Sequence, residues 1–559
     1  MTTPEVPGRP ARGDWVAAVV VVAVLYGLMA RFFVPRFETM DDVTMAMWTS
    51  GLCMALSPTS HIIFSHEIIG GMLQHLYMLW PSAGWYGWMH AAVLFGSSAV
   101  VCHVCLRSGR WLGFLAFLAY FALTQVDAFV LMQFTKTAFY ATLAGTFLLA
   151  LANEGDRTDH PLLVGACALA LVGSLIRPES FIFALLIGLP TLAVAWWRQD
   201  GTLAMAARCR AGGLVAFLAL PLLVIAATAV IDRQGPWERY YNYRLYRSQV
   251  LDFGERIVYT DQTRPVFDDI HWTDNHLAML RQASYFDPEI FSADHFRYLL
   301  AAFPKQWQPR EAGNQLVTFA RALESPPYGL VLFAGGLLLL TALQRRNAWA
   351  LLVTPLTTAL VLAAILLLVK WPPHRVLLPM LGSCYALMGW QSLAAAVSMP
   401  RRIWLAAACG AGLLLATGRL LPDTVATNRA FQRDSAAALA ELASLSSNRS
   451  QLFFTWENNF PYAETFLPFD HHPGIFREHL QVGSWGMFNP TAEAMLQHFG
   501  AARPYEDLVN NPHLFLIARA SSADIYRRFI RESYHREVEL RPVASGHYLL
   551  VWSVVEQAK

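Results

Sequence analysis

The chain has 559 residues, of which 55% are apolar and only 15% charged, with a formal net charge of +2 at neutral pH. Soluble globular chains carry about 25% charged residues, so the deficit excludes disorder and a charged coiled coil. So small a net charge offers no basic field for nucleic acid. What remains is a polytopic helical membrane protein.

Crossing about 30 Å of hydrocarbon takes roughly 20 apolar residues. About eleven stretches meet or approach that length: Trp15–Val34, Gly87–Leu106, Trp111–Met132, Ala138–Ala152, Pro161–Ile176, Ser180–Trp197, Gly212–Ile231, Pro327–Leu343, Ala348–Val369, Val376–Val397 and Ile403–Leu421. The fourth and fifth are short. Arg9 and Arg12 precede the first, which lacks a small-residue cleavage site and reads as a retained signal-anchor. Of the seven cysteines, six (Cys102, Cys105, Cys167, Cys209, Cys384 and Cys409) lie in or beside these runs. They imply no disulfide framework or zinc ribbon.

Loop charges orient the chain. With the N-terminus in the cytoplasm, the inner loops hold Arg107, Arg110, Arg157, Arg198, Arg208, Arg210, Arg345, Arg346, Arg401 and Arg402. The short outer loops hold only Lys136, Arg177, Lys370 and Arg375. That asymmetry is the positive-inside pattern. Three long segments then share the outer face: residues 35–86, 232–326 and 422–559. The membrane domain is expected over 1–421. The last segment reads as an extracytoplasmic α/β domain joined by a linker of a few residues. Its strand-like runs are Gln451–Trp456, His513–Ala518 and His547–Val554. Ser435–Leu445 and Ala523–Glu532 look helical, the latter with Ser522 as N-cap.

The first outer loop carries an acidic pair, Asp41-Asp42, just beyond the first span. Carboxylates beside a bilayer need water, a cation or a partner. They are read either as a general base with an orienting or metal-binding neighbour, or as a solvated turn capping a helix over Val43–Ser50. The stretch Ile62–Trp80 is too polar for a span and suits an in-plane helix that Gly70-Gly71 would kink. His66 and Glu67 within it offer a weak metal pair. Trp80, Trp85, Tyr86 and Trp88 form an aromatic belt.

Cations of the outer loops make a second constellation: Lys136, Arg177, and Lys370, His374 and Arg375 around a Pro-Pro pair. Each alone reads as a snorkelling anchor. Together they suit the phosphate of a lipid, which Arg can hold bidentately. Asp127, inside the third span, is either functional or paired with Lys136 or Arg177. In the second long loop, Trp237, Arg239, Tyr240, Tyr241, Tyr243, Arg244, Tyr246 and Arg247 read as an acceptor site or as an ordinary interfacial helix. Asp268-Asp269 and Asp274-Asn275-His276 have no metal-specific spacing.

A span, an outer loop opening on an acidic pair and in-plane helices before span two together resemble the GT-C superfamily of polyprenyl-phosphate-sugar-dependent glycosyltransferases. The resemblance rests on Met40-Asp41-Asp42-Val43, Ser50-Gly51, Gly70, Leu76-Tyr77, Trp85-Tyr86, Ile176-Arg177-Pro178-Glu179-Ser180 and Arg375-Val376-Leu377-Leu378-Pro379, over roughly residues 15–420. It implies an α-helical, multi-pass fold in a bacterial inner membrane with its active site at the outer surface. Such enzymes move a sugar, usually with inversion, from a polyprenyl phosphate to a glycan, lipid or protein. An acidic residue of the first loop acts as base or metal ligand, a role that falls on Asp41 or Asp42; a divalent cation (Mg or Mn) at Asp42 stays open. No Trp-Trp-Asp-Tyr-Gly signature is present, which argues against an asparagine-modifying oligosaccharyltransferase.

In this reading Asp41 takes the acceptor's proton and Asp42 orients it. Arg375, Lys370, Arg177, His374 and Lys136 hold the leaving phosphate. Glu67, His66, Asp127, Tyr243 and Arg244 border the acceptor side. Rival readings are a secondary transporter, which would carry intramembrane charges in matching halves, a non-catalytic envelope assembly protein, and a ligase using pyrophosphate-linked glycans.

Overall fold

A computed structural model describes residues 12–154, 158–200, 203–231, 235–252, 257–304, 309–343, 349–368, 371–394, 399–445, 451–456, 459–470, 474–483 and 486–557. Helix α1 (Arg12–Phe32) leads to α2 (Met40–Ser50) and α3 (Glu67–Leu79) of the first long loop. Then come α4 (Trp85–Gly109), α5 (Trp111–Val130), α6 (Phe134–Ala152), α7 (His160–Ile176), α8 (Pro178–Asp200) and α9 (Leu203–Ile231). The second long loop holds α10 (Pro236–Asp252), α11 (Asp274–Arg281), α12 (Ala293–Ala302) and α13 (Pro309–Leu323). Helices α14 (Tyr328–Leu343), α15 (Trp349–Leu368), α16 (His374–Ala394) and α17 (Arg402–Ala443) complete the bundle.

Each expected span lies on one of these helices. Among the described residues, eight have the length and apolarity to cross a membrane, or nine if Leu316–Leu323 and Tyr328–Leu340 form one bent span; His160–Ile176 and Leu351–Leu367 are shorter. The bundle is built around α6, every residue of which is buried. Its small side chains let neighbours approach closely, as lipid-embedded helices require. A Cβ on Gly145 would lie 2.9 Å from the Ala166 carbonyl oxygen, and one on Gly173 2.3 Å from Thr142 Oγ1. Thr142 spends its own hydroxyl on the Ala138 carbonyl at 2.9 Å, so its polar group is satisfied within the helix.

Several expectations are corrected. The third span stops at Val130, and Leu131–Met132 forms strand β2, parallel to β1 (Arg36–Phe37). Helix α3 starts at Glu67 rather than Ile62 and runs unbroken through Gly70. Gly70 is needed for close packing, since a Cβ there would meet the Ser60 carbonyl oxygen at 1.7 Å. No linker precedes the C-terminal domain: α17 is one 42-residue helix that continues into it. A π-helical turn at Ala416–Leu420 adjusts its course.

The domain's sheet has strands β3 (Leu452–Trp456), β4 (His479–Val482), β5 (Leu514–Ile517), β6 (Val538–Ser545) and β7 (Leu550–Glu556). Their order is β4-β3-β5-β7-β6, with β3 parallel to β4 and β5 and β7 antiparallel to β5 and β6. Helix α18 (Pro490–His498) follows β4, and α19 (Ala520–Tyr534) follows β5. Strand β3 is buried along its whole length, as an apolar run inside a parallel sheet should be. Sequence reading misses β4, whose His and Gln interrupt the apolar pattern, and β6, an exposed edge with a bulge near Pro542. Ser522 is not the N-cap of α19. Arg519 holds that position, and Ser522 donates from inside the helix to Gln282 and Asn459.

The domain docks on the first loop. Thr44 of α2 donates to Gln481 of β4 at 3.1 Å, and the amides of Cys53 and Met54 donate to the carbonyls of Phe476 and His479. A Cβ on Gly84 or Gly87 would lie 2.2 Å from the Pro468 carbonyl oxygen. Helix α2 is thus clamped between bundle and sheet.

Candidate active site

The chain leaving α1 is tied into the bundle by β1 pairing with β2 and by Glu38 N–H donating to the Met132 carbonyl at 2.9 Å. This places Asp41 and Asp42 in the first turn of α2. Thr39 is at the N-cap position in extended conformation, but its hydroxyl donates to Asp42 Oδ2 at 3.0 Å instead of capping. Asp42 Oδ1 accepts the Phe134 amide at 2.9 Å and the Tyr86 hydroxyl at 3.2 Å. Asp42 therefore caps α6 from outside, satisfying an N–H that has no partner within its helix. It is fully buried. Burial pushes its carboxyl well above the ordinary range; the Phe134 amide pulls it down and the Asp41 charge raises it further. Of the roles open to Asp42 from sequence, this geometry fits orientation.

Asp41 is partly exposed and faces Arg375, with Oδ2 3.9 Å from Nη2. Arg375 is one of three arginines from distant segments. Arg177, at the junction of α7 and α8, pairs with Glu179 at 2.9 Å. Its guanidinium lies 4.8 Å from the Phe64 ring centroid and 5.1 Å from that of Phe134. Arg244 of α10 shares Phe64 at 4.9 Å and donates to the Ile63 carbonyl at 3.1 Å. Phe64 and Phe134 stack with centroids 5.4 Å apart, giving the Arg177 and Arg244 guanidiniums one aromatic floor. Burial lowers the Arg177 pKa; Glu179 raises it, Arg244 lowers it, Asp41 raises it and Arg375 lowers it. Arg177 thus feels two carboxylates and two further guanidiniums, and counting its own charge the positive groups are in excess. Such a cluster suits a bidentate oxyanion.

Lys136 and His374 do not join that cluster. Lys136 Nζ is buried and contacts Glu38 Oε2 at 2.7 Å, Asp127 Oδ2 at 2.5 Å and the Leu131 carbonyl at 3.1 Å. The ammonium donates to Asp127 and to the Leu131 carbonyl and is neutralised by the two carboxylates beside it. His374 lies between Asp127, 3.1 Å from Nε2, and the Tyr328 hydroxyl, 2.8 Å from Nδ1. Lys136 and His374, read from sequence as phosphate-holding groups, thus have protein partners in this structure. They form an internal lock joining α5, α6, α14 and α16, and its last member precedes Arg375. Asp127 has the Lys136 partner that its sequence position allowed. Lys370 lies outside the described residues.

The remaining sequence candidates fall elsewhere. His66 caps α3, its Nδ1 accepting the Ile68 amide at 3.0 Å, and Glu67 pairs with His61 at 2.7 Å. Tyr243 is buried against Phe296 and Phe488 as part of the core. Asp274 of α11 pairs with Arg528, and His276 bonds Ser533 at 3.0 Å; both serve docking. Among the described residues, no group of three or more His, Cys, Asp or Glu side chains is placed to hold a metal ion. Both oxygens of Asp42 are engaged by protein donors and Asp41 faces a guanidinium, so this pair does not fit a divalent cation, and no step is derived through one. The Phe64–Phe134 floor and the inclusion of Arg244 were not foreseen. An isolated Phe beside an apolar run carries no sign of what it supports.

No family model and no curated protein matches the chain. Among solved structures, it aligns over 97% of its length with ArnT from Cupriavidus metallidurans bound to undecaprenyl phosphate, and over 98% of that chain, at 14% identity and a TM-score of 0.37. It aligns with apo ArnT from the same organism over the same shares, at 14% identity and a TM-score of 0.39.

Proposed function

We propose that the protein is a membrane glycosyltransferase that takes a sugar from a polyprenyl-phosphate donor. Transfer takes place on the face bearing the C-terminal domain, which the loop charges put outside the cytoplasm. The observation that carries this reading is the convergence of Arg177, Arg244 and Arg375 beside Asp41. A polyprenyl phosphate would balance the excess positive charge of the cluster, and the aromatic floor fixes the Arg177 and Arg244 guanidiniums before it arrives.

Asp41 then accepts the proton of an acceptor hydroxyl as that oxygen bonds to the anomeric carbon. The bond from that carbon to the phosphate oxygen breaks, and the electron pair leaves with the phosphate into the arginine cluster. Attack opposite the leaving group inverts the anomeric centre. Asp42 orients this step by holding α2 against α6. The acceptor is a glycan, lipid or protein hydroxyl presented from the C-terminal domain.

The test supplies the full chain in lipid vesicles with a panel of polyprenyl-phosphate sugars and membrane glycan acceptors. Release of polyprenyl phosphate with at least one donor is expected. No release with any donor would contradict the reading.

A further inference from the structure

The C-terminal domain contains a cavity of about 630 Å³ at the carboxyl ends of β3 and β5. From β3 the chain moves to β4 on one side, then crosses to β5 on the other. The crevice between such strands is where open α/β sheets bind ligands, and its volume lies within the roughly 300–1,000 Å³ of small-molecule sites. Asn459 joins the loops after the two strands: its Oδ1 accepts the Arg519 amide at 2.7 Å and the Ser522 hydroxyl at 3.2 Å. The opposite wall is the β6–β7 hairpin. Glu441 of α17 accepts the amides of His547, Tyr548 and Leu549 at 2.8, 2.8 and 3.0 Å, which fixes that loop in place.

The lining includes Asp434, Asn459, Glu464, Arg519, Tyr548 and Met40. Met40 immediately precedes Asp41, so the cavity reaches the first turn of α2. Two carboxylates accept hydroxyl protons, an arginine and an amide donate, and a tyrosine ring offers a face. Asp434 already accepts the Tyr548 hydroxyl at 3.4 Å, which holds both at the wall. The two carboxylates oppose a phosphate or other anion, and so polar a lining does not suit an apolar ligand.

We infer that this cavity binds a neutral, polyhydroxylated carbohydrate and is the acceptor subsite of the transferase. The acceptor assignment rests on the function proposed above, whereas carbohydrate binding does not. The test uses the full chain in lipid nanodiscs, free of sugar-headed detergent. Saturation-transfer NMR is run with short oligosaccharides of hexose and N-acetylhexosamine units, and separately with inorganic phosphate and with polyprenyl phosphate. Binding of at least one oligosaccharide is expected, weakened about tenfold or more by Glu464→Ala and by Arg519→Ala. Asp434→Asn, a milder change, should weaken it too, and all three variants should keep polyprenyl-phosphate binding as proof of folding. Binding of no oligosaccharide, binding untouched by these variants, or binding of inorganic phosphate in place of sugar would overturn the inference. Sugar binding without polyprenyl-phosphate binding would uphold the cavity and defeat the donor assignment.

Discussion

Asp41 and Asp42 are neighbours in the chain with opposite surroundings: Asp41 is partly exposed 3.9 Å from Arg375, while Asp42 is buried against the Phe134 amide and the Tyr86 hydroxyl. The two carboxylates should therefore fail differently. Asp42→Ala strands the Phe134 amide, the Tyr86 hydroxyl and the Thr39 hydroxyl, each costing about 1–3 kcal/mol if buried without a partner. Thermal unfolding of the purified protein should show a marked loss for Asp42→Ala and almost none for Asp41→Ala. Equal losses would mean that Asp42 does not brace α6.

The arginine cluster predicts a charge-conserving defect. Arg177→Lys and Arg375→Lys keep the cation but lose the planar fork and, for Arg177, its stacking on Phe64 and Phe134. Polyprenyl-phosphate binding should weaken by about tenfold or more in each, with little change in thermal stability. Retention of wild-type affinity in both would place the phosphate elsewhere.

The lock around Lys136 predicts severe instability and a specific rescue. Lys136→Met leaves Glu38 and Asp127 partly buried without their cation, a loss of about 3–5 kcal/mol for a broken buried pair. Folded yield should fall sharply. Adding Asp127→Asn removes one of the stranded charges and should restore part of that yield. No rescue would show that the pair contributes through something other than its charge.

Acid should loosen the contact between the second long loop and the C-terminal domain. Burial lowers the His276 pKa from 6.5 to about 4, against the Asp274 and Asp287 charges that raise it. Its neutral ring bonds Ser533 across that contact. A lowered histidine contributes stability that is complete above the unfolded value, because only the unfolded chain takes up the proton at first. That stability is lost as pH falls from about 6.5 towards about 4. Hydrogen exchange in α11 and α19 should rise across that window in the wild type and change less in His276→Gln.

The spans were legible because hydrocarbon thickness writes itself into about 20 residues of apolar sequence. The site was legible in residue types and less so in partners. Asp41, Arg177 and Arg375 stood out as charges near helix ends, and their assembly follows from helix packing that no spacing encodes. Lys136 showed one partner in sequence, Asp127 nine residues away, but not its second, Glu38, nearly a hundred residues earlier. The acidic pair looked symmetrical, whereas the amide that Asp42 accepts belongs to Phe134, 92 residues further along the chain. Strand β4 stayed hidden because its polar side chains bond to residues distant in the chain or in neighbouring elements: Gln481 to Thr44 of the first loop, His479 to Thr455 and Tyr462 of its own domain.

The most direct test of the central claim compares wild type with Asp41→Asn in a single-turnover assay of polyprenyl-phosphate release, with donor binding measured on the same samples. The account predicts unchanged donor binding and a rate lower by about 10²–10⁴, the usual contribution of a positioned general base. Wild-type turnover by Asp41→Asn would contradict it.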